Sequence, residues 1–135
     1  MRETVTICGE ATVTVHDYQS GRLWKDAVCY SFYPIDLHVS SGSGLNKEML
    51  TEGVVPTIPR AAMIPKGSRN FLVAGRCISS DRLANSALRV QATSMATGQG
   101  AGALAASEGS TPGDVPLDAM RCLLKAHRAI VPPSP

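Results

Sequence analysis

The stretch Asn70-Phe71-Leu72-Val73-Ala74-Gly75-Arg76 decides how the rest of the chain is read. Phe71 to Ala74 is a short apolar run with Ser68-Arg69-Asn70 before it and Gly75 after it. A run of this kind bounded by turn residues predicts a strand buried on both faces, here a central parallel strand. A glycine at the carboxyl end of a strand lets a ligand approach the backbone. From Thr93 to Ser107 the composition turns to Met, Ala, Gly and Leu, predicting a helix about 22 Å long with Thr93 or Ser94 as its cap and Gly109 as its stop. A helix start offers unpaired N–H groups and a partial positive charge. Strand end, Gly75-Arg76 and helix start together suit an anion or an electron-rich ring, while ordinary strand-to-helix packing produces the same pattern without a ligand.

Outward from this unit the periodicity changes several times. Val5 and Ile7, then Ala11, Val13 and Val15, alternate as two short extended segments around Gly9-Glu10, the second able to turn helical near His16. Thr14 stands three residues before Asp17, a capping-box spacing, so Asp17 to Ser20 reads as a helical turn ended by Gly21. Trp24 to Tyr33 is a short helix or strand. Ile35, Leu37 and Val39 alternate with Asp36, His38 and Ser40 as a half-buried strand, and Ser40 to Gly44 follows as a flexible loop. Pro56, Pro59 and Pro65 exclude a helix between 54 and 66 and predict a linker or an edge strand. Pro116 and Asp118 open a last helix with Leu117, Met120, Leu123 and Leu124 on one face, before the tail 131–135.

The 135 residues fit one domain, able to bury roughly two thirds of its unfolded surface. Only 18% of them are charged, against about 25% in average soluble domains, which suggests a surface that expects cover from a partner. The net charge of +2 is weak and its cations are scattered, so a nucleic-acid footprint is missing. Cys8, Cys29, Cys77 and Cys122 lie far apart without C-x-x-C spacing, and read as buried reduced thiols rather than zinc ligands or a disulfide framework. No metal site is expected. No leader pattern or membrane-length apolar run is present, so a cytoplasmic protein without membrane contact is the expectation.

Several ordered strings carry a resemblance. Ile64-Pro65-Lys66-Gly67, Asn70 to Ser79, Leu88-Arg89-Val90 and Met95-Ala96-Thr97-Gly98-Gln99 resemble the C-terminal signature of bacterial FAD-dependent oxidoreductases. Arg2-Glu3-Thr4, Gly9-Glu10, Gly21-Arg22, Asp26-Ala27 and Tyr33 to His38 resemble the same family in the same order. The resemblance implies an α+β organisation for the chain alone, as the C-terminal fragment of an α/β FAD-binding Rossmann-like fold. It divides the sequence into a strand-rich, substrate-side segment (1–66), the last strand and helices of the FAD-binding part (67–130), and a tail (131–135). It places Gly75 and Arg76 near the pyrophosphate and ribityl chain, and Arg89, Val90, Gln91, Ala92, Ser94 and Met95 along the isoalloxazine ring. Helix-start N–H groups would then face the side of the flavin where charge accumulates on reduction.

The departures matter as much. The family has Tyr-Arg after its Ile-Pro, where this chain has Arg60-Ala61; Arg82 stands where a histidine is common, and Ala92-Thr93-Ser94 where Pro-Thr-Cys is common. The G-x-G-x-x-G region that binds pyrophosphate and adenosine in such enzymes is missing, and Gly98 to Gly102 lies inside the helical segment rather than after a strand. Gly98 and Gly102 are instead expected to bare one helix face for close packing. Asp36-x-His38 sets two candidate acid/base groups on one strand face without a third partner, and a solvent-facing His38 is the favoured reading. Cys77 is read as an inert buried thiol in preference to a reactive one. His16 and His127 read as surface residues.

Two functions follow. The first is part of an FAD-dependent oxidoreductase acting on a small molecule, supplying the C-terminal wall of the flavin site, with FAD bound weakly or not at all until the dinucleotide-binding portion joins. The alternative is a non-enzymatic interaction or assembly domain, with a homo-oligomer as one form, that keeps the fold without the cofactor.

Overall fold

The structure, a computed structural model, describes residues 5–38, 45–107 and 111–133. Its first helix, α1 (Val15–Gln19), begins at the capping box expected from the sequence. Thr14 Oγ1 accepts from the Asp17 N–H at 3.2 Å, and Asp17 Oδ2 accepts from the Thr14 N–H at 3.0 Å. Gly21, at φ +68°, then turns the chain away. Asp17 also pairs with Arg22 at 2.7 Å, and the Arg22 guanidinium lies 3.6 Å above the Trp24 ring.

Between Trp24 and Tyr33 the chain resolves into a strand, β1 (Ala27–Tyr30). Its partner is β4 (Thr57–Pro59), antiparallel, with Cys29 opposite Ile58 and Tyr30 opposite Thr57. The alternation at Ile35 and Leu37 becomes β2 (Ile35–His38), paired antiparallel with β3 (Leu45–Glu48). Val39 and the expected loop from Ser40 to Gly44 lie outside the described residues.

The proline-punctuated stretch holds the expected edge strand, β4 of a two-stranded sheet, but that edge is buried. Thr57, Ile58, Met63 and Ile64 are all at most 2% exposed, because after β4 a 3-10 turn (Arg60–Ala62) folds the chain inward. Asp26 holds that turn: its carboxylate accepts from the Ala61 N–H at 2.8 Å and its carbonyl from the Arg60 N–H at 2.9 Å.

The central strand expected at Phe71 to Gly75 is overturned. Residues 71–74 form no ladder, and Gly75–Cys77 is a 3-10 turn. Phe71 is 60% exposed, and the Val73 N–H donates to Met63 O at 2.8 Å. A parallel strand needs neighbours on which to hydrogen-bond, and the described residues supply only an isolated parallel bridge, between Val13 and Ser80.

Helix α2 (Arg82–Leu88) was not expected. Asp81 caps it, one carboxylate oxygen accepting from the Ala84 N–H at 2.8 Å and the other from the Val15 N–H at 2.6 Å, so one side chain ties together the starts of two helices. Helix α3 (Gln91–Ala106) starts two residues earlier than expected, with Val90 at the N-cap position and no side-chain cap. The expected caps, Thr93 and Ser94, lie within its first turn and the stop at Gly109 lies outside the described residues. At 16 residues it is about 24 Å long.

The close-packing glycine of α3 is Gly100. A methyl group placed on Gly98 or Gly102 meets nothing within 4 Å, whereas one on Gly100 would run into Val28 Cγ1 of β1. Helix α4 (Leu117–Ala126) buries Met120 and Leu124 as expected, with Leu117 and Leu123 half-buried beside the core. Arg121 of α4 donates to Lys25 O at 2.9 Å. Val13, Tyr18 and Met63 share one core with Ile78, Leu104 and Met120, so segments on both sides of residue 66 contribute to it.

Candidate functional site

Gly75 anchors the site. Its φ of +71° suits glycine, and it directs the Gly75 N–H onto Thr97 Oγ1 at 2.9 Å. A Cβ there would sit 3.5 Å from Ser94, so the backbone of Gly75 lies directly against the first turns of α3. Asn85 Nδ2 holds the next carbonyl, that of Arg76, at 3.1 Å and reaches Ser80 Oγ at 3.0 Å.

Beside this contact lies an open cleft of 220 Å³ lined by Tyr33, Asp36, Arg76, Ser86, Arg89 and Val90. Arg89 is set by its backbone neighbours: Nε donates to Ser86 O at 3.3 Å and Nη2 to Asp36 O at 3.2 Å. Ser86 Oγ accepts from the Asp36 N–H at 3.1 Å and donates to Leu83 O at 2.7 Å, which fixes β2 against α2. Asp36 Oδ1 is buried with no hydrogen-bond partner among the described residues. Such an atom costs roughly 1–3 kcal/mol until a donor reaches it.

On the other side of the α3 start, Ala92 and Thr93 line a second cleft of 270 Å³ with Val28, Phe32, Ala96 and Leu124 among its walls. The structure therefore brings Arg76, Arg89 and Val90 together in one cleft and sets Gly75 against Ser94. Ala92 belongs to the opposite cleft, and Gln91 and Met95, both exposed, line neither. With no side chain capping α3, its first N–H groups keep their hydrogen-bonding capacity.

A hydroxyl network escaped the sequence reading. Ser31 Oγ lies 2.8 Å from Thr93 Oγ1 and 3.4 Å from Tyr18 Oη, and Tyr18 donates to Tyr33 O at 2.9 Å. Burial pushes the Tyr18 phenol above its ordinary value, against the smaller opposing pull of Ser31 and Tyr33. The burial of Thr93 and Thr97, though not their partners, was signalled: counting back from Leu104, the large apolar residue that α3 buries, in steps of 4, 3 and 4 gives Gly100, Thr97 and Thr93, the buried face of the helix.

Other candidates fall away from this centre. Cys77 is exposed rather than buried, as are Cys8 and Cys122, because Cys8 and Cys77 sit on the outer backbone pairing and Cys122 on the outer face of α4. Cys29 alone is buried, and its thiol is pushed up to about 12 by loss of water. His16 and His127 are exposed, and the side chain of His38 lies outside the described residues. Among the described residues no group of three or more His, Cys, Asp or Glu could hold a metal ion, and no helix is long and apolar enough to cross a membrane.

A helix start left open beside a left-handed glycine, flanked by an arginine-bearing cleft, is a construction suited to an anionic or electron-rich group, the class to which flavin cofactors belong. A family model described as FAD dependent oxidoreductase matches residues 1–124. The chain belongs to the FAD-dependent oxidoreductase family, whose complete enzymes carry FAD. Neither the curated proteins nor the solved structures compared with it gave a match.

Proposed function

We propose that this chain supplies the C-terminal wall of the flavin site of an FAD-dependent oxidoreductase acting on a small molecule, and that a dinucleotide-binding portion outside these 135 residues supplies the other wall. The observation that carries the reading is the uncapped start of α3 standing beside Gly75 and the Arg76–Arg89 cleft, in a chain of this family.

The residues present fit the cofactor in kind. Gly75 allows close approach of a ligand to the backbone, Arg76 and Arg89 bring positive charge, and the α3 N–H groups favour negative charge. Asp36 Oδ1, without a hydrogen-bond partner among the described residues, suits a donor such as a ring amide N–H. They do not fit it in extent. At 220 Å³ and 270 Å³ the two clefts fall short of the roughly 300–1,000 Å³ that encloses a drug-sized ligand, and an FAD is larger still. Gly98 to Gly102 lies in mid-helix and cannot cradle a pyrophosphate in the manner of a dinucleotide fingerprint. FAD, when bound, supplies the two-electron acceptor; this chain's residues orient it, balance its charge and help exclude water. The low charge content and exposed Phe32 and Met95, 67% and 68% accessible near the α3 start, suit a surface that a second wall covers.

The test is to purify the chain alone and together with the product of the coding region immediately upstream, and to read visible flavin absorbance. A colourless chain and a yellow assembly are expected. Colourless protein in both preparations supports the assembly-domain alternative, and a chain that is yellow alone refutes the need for a second wall.

A further inference from the structure

The 270 Å³ cleft beside α3 has walls of one character. Among the described residues no Asp, Glu, Lys, Arg or His lines it, whereas the 220 Å³ cleft holds Asp36, Arg76 and Arg89. Its polar groups are already engaged. Ser31 Oγ and Thr93 Oγ1 share a hydrogen bond at 2.8 Å, and Gln99 Nε2 donates to His127 O at 3.4 Å. No lining residue carries a buried polar side-chain atom left without a hydrogen bond. A charged ligand entering here would give up its hydration and meet no counter-charge.

Part of the wall comes from the chain that leaves α4. The helix end is closed by bonds from the His127 N–H to Leu123 O at 3.1 Å and from the Ala129 N–H to Leu124 O at 2.9 Å. Between them Arg128 adopts φ +59°, a left-handed conformation that is costly for a residue with a side chain. The turn it makes sets Ala129 and Ile130 against the cleft. Ile130 is 82% exposed, and Phe32, which also lines the cleft, is 67% exposed. Two large apolar side chains thus stand in water beside an uncharged hollow, and covering them is favourable in proportion to the area removed from water. A dry apolar cavity of about 150 Å³ takes benzene. At 270 Å³ this cleft has room for one ring with a short substituent, and it falls below the roughly 300–1,000 Å³ of drug-sized sites.

We propose that the cleft between β1, α3 and the chain after α4 binds an uncharged compound built on a single apolar ring. The site is separate from the flavin reading and is tested without flavin. Amide NMR signals of the isotope-labelled chain are followed at neutral pH during titration with benzyl alcohol, benzoate and benzylammonium, which share a ring and differ in charge. Benzyl alcohol is expected to give saturable shifts at Ala92, Ala96 and Ile130, with a dissociation constant on the order of 1 mM for so small a ligand. The two ions are expected to bind there at least about tenfold more weakly. Ile130→Asp puts a charge in the wall at an exposed position and is expected to weaken benzyl alcohol by a similar factor. Ala96→Leu fills the cleft and is expected to abolish the shifts. Absence of saturable shifts with benzyl alcohol, the result also of a cleft already filled by a second copy or another protein, overturns the inference. So does equal binding of either ion at these residues, or unaltered binding in folded Ile130→Asp. If Ala96→Leu does not fold, Ile130→Asp decides.

Discussion

Replacing Gly100 by alanine sets two effects of opposite sign against each other in the middle of α3. Removing a glycine from a helix interior stabilises by about 1 kcal/mol. The new methyl, however, would occupy the space of Val28 Cγ1, and would also lie 3.5 Å from Val28 Cβ and 3.9 Å from Met63 Cε. Val28 is β-branched, 2% exposed and fixed in β1, so it has little rotamer freedom with which to withdraw. Overpacking of this kind costs about 1–3 kcal/mol, and the steric effect wins. The net loss of up to about 2 kcal/mol should lower the melting temperature by up to about 8 °C, given how unfolding entropy scales with length. Gly98→Ala and Gly102→Ala gain the helix term without the clash and should be stabilising. The assay is thermal and urea unfolding of the three single variants, of Val28→Ala, and of the Val28→Ala/Gly100→Ala double variant. In the Val28→Ala background the alanine at position 100 should be neutral or stabilising, a coupling of at least about 1 kcal/mol. If Gly100→Ala stabilises the wild type, or costs the same in both backgrounds, the packing of α3 on β1 described above is wrong.

Two further expectations concern ionisable groups. Burial pushes the Asp17 carboxyl upward, but the hydrogen bonds from Thr14 and the Arg22 guanidinium outweigh it and hold the group below its ordinary 3.8. A depressed folded value means that its stabilisation is present at neutral pH and is lost as pH falls from about 4 through the folded value. Asp17→Ala should therefore cost about 1–2 kcal/mol at pH 7, as loss of a capping interaction does, and the gap to wild type in urea unfolding should close below pH 4. Among the thiols, Cys8, Cys77 and Cys122 are exposed while Cys29 is buried. A disulfide reagent at pH 8 should titrate three thiols quickly in the native protein and the fourth only after unfolding; four fast thiols would contradict the burial of β1.

How far the sequence could be read depended on whether the signal was local. The α1 capping box, the alternation in β2 and the apolar face of α4 each lie within a dozen residues, and each appears where expected. Phe71 to Gly75 misled because an apolar run specifies burial but not a ladder, and strand geometry is conferred by neighbours. Gly75 nevertheless packs against α3, its N–H donating to Thr97 Oγ1. The wrong glycines were chosen in α3 because composition gives no helix phase; Leu104 does, and it points to Gly100. The network through Tyr18, Ser31 and Thr93 spans segments 13 and 62 residues apart, a separation at which hydroxyl pairing leaves no trace in a single sequence.

The bond from Arg121 to Lys25 joins residues 96 positions apart. During synthesis the carbonyl at the entrance to β1 must wait for a further 96 residues to follow it out of the ribosome before its partner arrives, and contacts of that range are slow to close. The segments around β1 thus emerge with apolar surface uncovered, so chaperone demand from them should persist until α4 has cleared the exit tunnel.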